Sequence, residues 1–151
     1  MGLAMRLSDA SSAGHRIIER AAIKIIEILG QHIRDIPSFY AEINRVFMAG
    51  ETWTLGESLD AFKDLLYGGY GAIVGREAVT IVWQGFDGSK TALGYETTRA
   101  FLRNKLERPD LYNKRLIRDQ LDALEKGRGE TYIDIVMAII ADHANITVEP
   151  H

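Results

Sequence analysis

The chain has 151 residues, 46% apolar and 26% charged. That is enough for one globular domain with a sizeable buried core. It has no cysteine, which excludes disulfides, thiolate nucleophiles and cysteine–zinc sites and fits a reducing compartment. A net charge of −3 argues against a nucleic-acid binder held by bulk positive charge, and no apolar run nears the roughly 20 residues needed to span a bilayer.

Residues 1–14 are small, polar and without period, which predicts a flexible tail. They lack the apolar core of a secretory signal, so a cytoplasmic location is expected. Residues 15–20 can add a turn of helix. Isoleucine-rich residues 21–29, closed by Gly30, read as a strand. Asp35-Ile36-Pro37-Ser38 is a helix-start signal, and Phe39, Tyr40, Ile43, Val46 and Phe47 give the apolar stripe of a first helix running to about residue 48.

Residues 53–71, W-T-L-G-E-S-L-D-A-F-K-D-L-L-Y-G-G-Y-G, predict a short second helix bounded by glycines. Ser58 is its N-cap, Leu59, Phe62, Leu65 and Leu66 are its apolar face, and Gly68 lies just past its end. Glu57, Asp60 and Asp64 recur at spacings of three and four, which predicts one acidic face. Such a face is either a solvated surface or one built to meet a basic partner.

Residues 78–83 have strong strand propensity, and their near-continuous apolarity predicts a strand covered on both faces. Gly85, Asp87 and Gly88 are expected to form a turn. Amphipathic helices follow at 96–106, 111–124 and 131–142, with Pro109 and Gly127–Gly129 as breaks, and a last short strand at 146–148. Residues 96–130 carry nine Lys/Arg against seven acids, so the acidic character lies outside them. The order β-α-α-β-α-α-α-β predicts an α/β fold on a small parallel sheet with helical crossovers.

Catalytic signatures are missing. His15, His32, His143 and His151 have no ligand spacing, no Lys-Ser or Lys-Thr follows the glycines at 68–71, and there is no G-x-S-x-G elbow. Asp60 and Asp64 would need burial to split their pKa values for acid–base work, and they sit on the exposed side of their helix. No enzyme activity, cofactor or metal is therefore expected.

Three blocks of the sequence resemble the barstar family, intracellular inhibitors of small secreted ribonucleases. Residues 23–42 carry an apolar first strand, the turning Gly30 and Ile33-Arg34. Gly56-Glu57-Ser58-Leu59-Asp60-Ala61, followed by Asp64 and Gly68, is similar to the family's central motif. Residues 79–90, with Trp83, Phe86, Ser89 and Lys90, resemble its second strand, and Ile146-Thr147-Val148 its last.

The resemblance implies a three-stranded parallel sheet with helices in one domain over 15–151, two extra helices being inserted at about 91–130. It also implies an immunity-type function, in which the second helix and the loop before it plug the active site of a basic secreted or toxin-type ribonuclease. Asp60, Asp64 and Gly68 match family contact positions; Glu57, Thr54 and Tyr67 surround them. Thr54 and Leu55 stand where better-known members have a tyrosine pair, Lys63 replaces a tryptophan, Tyr67 replaces a threonine, and a contact glutamate is missing near Ala138. The alternative expectation is an interaction module of the same fold with a non-ribonuclease partner, using Trp53, Tyr67 and Tyr70.

Overall fold

The computed structural model describes residues 23–108 and 113–151. The expected tail at 1–14, the helical turn at 15–20, the first two residues of the strand at 21–29, and the Pro109 break and Leu111 helix start lie outside the described residues. Three strands, β1 (Lys24–Leu29), β2 (Val79–Gln84) and β3 (Ile146–Pro150), form a parallel sheet in the order β1-β2-β3. Between β1 and β2 run α1 (Ile36–Phe47) and α2 (Leu59–Leu65). Between β2 and β3 run α3 (Phe86–Ala92), α4 (Tyr95–Leu106), α5 (Lys114–Glu125) and α6 (Tyr132–Ala141).

Alternation along the strands decides which face is the core. Ile26, Ile28, Val79, Ile81, Trp83 and Ile146 are buried in one cluster with the helices. Residues of the opposite parity are not: Thr80, Val82 and Gln84 are half-buried, and Ile25 is 61% exposed. The expected burial of the second strand on both faces is therefore corrected. Among the described residues only one face of the sheet carries the core.

Phe39 of α1 sits at the centre of that core. Its ring stacks on Trp83 at 6.4 Å and meets Phe62 of α2 at 5.6 Å and Tyr132 of α6 at 6.4 Å, both edge-on. α1 starts as the sequence predicts, with Asp35 as N-cap, Ser38 completing a capping box and a proline in the first turn.

A second correction concerns residues 85–92, which form a helix after Gly85 where a turn was expected. Tertiary contacts override the weak helix propensity of Asp87, Gly88 and Ser89. Ser89 is fully buried and accepts a 2.9 Å hydrogen bond from Trp83 Nε1, and Phe86 lies edge-on to the same indole at 5.4 Å. Gly30 is needed at this junction, because a Cβ there would lie 2.3 Å from the Gln84 carbonyl oxygen and 2.8 Å from Ser89 Oγ.

α4 and α5 pack on each other around a separate apolar cluster of Leu102, Ile117 and Leu124. Among the described residues no helix is long and apolar enough to cross a membrane.

Candidate protein-binding face

α2 is only seven residues long, so its position depends on its ends and on the side it buries. Ser58 Oγ accepts from the Ala61 N–H at 3.0 Å, as the sequence predicts for an N-cap. Phe62, Leu65 and Leu66 are buried at 1% exposure or less. The opposite side leaves Asp60, Lys63 and Asp64 exposed.

Glu57 is exposed too but precedes the cap, so its spacing to Asp60 is not a helical one. Among the described residues no cation pairs with Glu57, Asp60 or Asp64.

The loops on either side of α2 are fastened to α1. Asn44 grips Leu55 twice, accepting from its N–H at 2.6 Å and donating to its carbonyl at 3.2 Å. This turns Leu55 inward at 5% exposure and leaves the neighbouring Thr54 outward. After the helix, the Ala72 N–H donates to the Phe47 carbonyl at 2.8 Å, and the Gly71 N–H donates to Glu51 Oε2 at 2.8 Å. Trp53, 46% exposed, lies against Tyr70 with ring centroids 4.9 Å apart, which joins the two loops. Burial, and then the nearby Asp64 carboxylate, push the Tyr70 hydroxyl upward in pKa.

Gly68 holds a positive φ of +82°, and a Cβ there would lie 2.1 Å from the Gly75 carbonyl oxygen. The half-buried residue is thus required by backbone geometry. Gly68→Ala is expected to destabilise the fold by more than about 1 kcal/mol, read as a lower melting temperature; an unchanged melting temperature would show that the glycine is not needed for the turn. Tyr67 is 57% exposed, and its ring meets the buried His143 edge-on at 4.8 Å.

On the other flank of α2, Glu57, Ser58, Leu59 and Asp60 face Phe101 and Lys105 of α4 and Tyr132 of α6 across a cleft of about 350 Å³. The sequence hinted at this neighbourhood only through the basic excess over 96–130, since its two walls lie more than 40 positions apart. Lys105 Nζ sits 4.4 Å from the centre of the Phe101 ring, and burial lowers its pKa. Tyr40 and Tyr132 share a buried 2.6 Å hydrogen bond between their hydroxyls, and burial raises both.

The structure therefore brings Asp60, Lys63 and Asp64 together on one short, capped helix. Thr54 and Glu57 lie in the loop before it and Tyr67 just after it. The arrangement offers fixed negative charge, without a cation partner among the described residues, on a braced surface, which can attract and hold cations. Compared with known families, the chain matches the one described as Barstar (barnase inhibitor) over residues 23–115, more than half its length. The match takes in all of α2 and both of its loops, while α6 and β3 lie beyond it. No curated protein matches the chain.

Proposed function

The chain belongs to the barstar family, and from that premise we propose that it is an inhibitor of a small basic ribonuclease, acting inside the cell that makes it. It is not an enzyme on this reading: α2 and the loop before it block the ribonuclease active site, with Asp60 and Asp64 opposite the Lys and Arg side chains that bind RNA phosphates. Glu57, Thr54 and Tyr67 complete the contact, and Gly68 sets the backbone that carries Tyr67. α4 and α5 are then an insertion on the inhibitor fold.

The observation that carries the reading is the exposure of Asp60 and Asp64, without a cation of the described residues, on a helix whose two ends are fixed. Pre-placed charge lowers the ordering cost of association and speeds encounter with a basic cleft. The test is titration of the protein against a panel of small basic microbial ribonucleases. Stoichiometric inhibition of at least one member is the expected result, and inhibition of none overturns the reading.

Lys63 supplies a sharper check. It stands between the two aspartates and would face the same basic site. Lys63→Ala is expected to tighten inhibition by roughly 0.5 kcal/mol or more, as removal of a like charge; weaker inhibition by the variant would mean that Lys63 pairs with an acid on the partner.

A second reading keeps the family and changes the partner. The exposed Trp53 and Tyr67, with Val74 at 67% exposure, give an aromatic and apolar surface beside α2 that suits a protein other than a ribonuclease. It gains ground if the ribonuclease panel gives no inhibition.

A further inference from the structure

Resting on the inhibitor reading, the structure yields a statement about what the partner must bring. Glu57 and Asp60 form one lip of the cleft between α2 and α4, so a protein seated on those carboxylates also covers the mouth of the cleft. A specific interface buries about 800 Å² on each side, which a seven-residue helix cannot supply alone.

The cleft continues past Leu59, Phe101, Lys105 and Tyr132 into a second space of about 350 Å³ that reaches Ala123 on α5 and Ile135 on α6. Two polar groups along its walls are already engaged. The Tyr132 hydroxyl is bonded to Tyr40, and Thr98 Oγ1 donates to the Gly94 carbonyl at 2.6 Å while accepting from the Tyr132 N–H at 2.8 Å. Ring and aliphatic surface remains, from Leu59, Phe101, Leu102, Ala123 and Ile135.

Charges of both signs stand around it: Glu57, Asp60 and Glu130 against Lys105 and Arg128. A charged side chain entering would meet like as well as unlike charge on its way in; a neutral apolar one meets no such conflict. The lowered pKa of Lys105 reflects the same partial exclusion of water.

We propose that this cleft receives one large apolar side chain, aromatic or long aliphatic, from the same protein whose basic site meets Asp60 and Asp64. The partner's cations then lie on α2, and beside them an apolar anchor enters between Leu59 and Phe101. An apolar anchor in a pocket with a polar rim is the usual anatomy of an energetic hot spot.

The test fills the cleft without touching the acidic residues. Ala123→Phe occupies the inner space, and Gln120→Trp, an exposed position on its wall, occupies it from another side should the first variant fold poorly. Each is checked by melting temperature and then titrated against whichever ribonuclease the native protein inhibits. Inhibition weakened roughly tenfold or more by a stably folded variant supports the proposal; unchanged inhibition by both overturns it and leaves the inhibitor reading standing.

Should no ribonuclease be inhibited, the inhibitor reading fails, and N-acetyl-phenylalanine amide followed by methyl NMR judges the cleft separately. Saturable shifts at Leu59 and Ile135 that vanish in Ala123→Phe then support an apolar anchor site. Their absence from the native protein overturns it.

Discussion

Asp60→Ala together with Asp64→Ala is expected to weaken inhibition of the target ribonuclease by a factor of about 10³–10⁵. Truncating one partner of a desolvated, hydrogen-bonded charge pair costs about 2–5 kcal/mol, a range to which this family's namesake complex itself contributed. Two such losses that do not fully add give roughly 4–7 kcal/mol, and each 1.4 kcal/mol is about a factor of ten.

The fold should be untouched, because both side chains are exposed and pair with no cation of the described residues. Surface substitutions of this kind usually stay within about 0.5 kcal/mol of the native stability. The measurements are an inhibition constant and a melting temperature for the native and double-variant proteins. Loss of inhibition accompanied by unfolding, or inhibition kept within about tenfold, would each remove α2 from the role proposed for it. Association should also slow as salt is raised, since steering by these charges is screened over about 10 Å at 0.1 M ionic strength.

The second large effect is expected at Glu42, where no activity is proposed. Its carboxylate is 1% exposed and joins β1 to α1. Oε2 accepts from the Leu29 N–H at 2.8 Å and from Arg45 Nη2 at 2.6 Å, while Oε1 accepts from Arg45 Nε at 2.9 Å and lies 2.7 Å from His32 Nδ1. Burial by itself would raise the Glu42 pKa, but these hydrogen bonds outweigh it and hold the group down to about 2.

Because the folded value lies below the ordinary 4.5, the unfolded chain binds more protons between the two. The stabilisation is therefore complete above about pH 5 and lost as pH falls through about 2, on the order of 3 kcal/mol in all. Glu42→Ala is expected to cost about 3 kcal/mol at pH 7, since it leaves the half-buried Leu29 N–H and the Arg45 guanidinium without their shared acceptor. Urea unfolding of both proteins from pH 7 to pH 3 checks this. A cost below about 1 kcal/mol, or an acid slope as steep in the variant as in the native protein, would show that the network contributes little.

α2 was legible because its signals are local: Ser58 before a leucine–phenylalanine stripe, and Gly68 at the end, act within a few residues of where they stand. Residues 86–92 carry turn formers, and yet they are helical, with Ser89 buried and accepting the hydrogen bond of Trp83 Nε1. Likewise, Glu57 shares a helical spacing with Asp60 on paper but stands before the cap, where one residue's difference in helix start changes its direction.

The sequence by itself thus determined the strands, most of the helices and the acidic character of α2, because periodicity and capping are properties of neighbouring residues. Its candidate residues Glu57, Asp60 and Asp64 supply the carboxylates of the proposed face. Only the tertiary structure decided that, among the described residues, one face of the sheet carries the core, that Gly68 is fixed by its approach to Gly75, and that Glu57 and Asp60 overlook a cleft walled by Phe101, Lys105 and Tyr132. These depend on which distant surfaces meet, and that is set by the packing of the whole core around Phe39 and Trp83 rather than by any local run of residues.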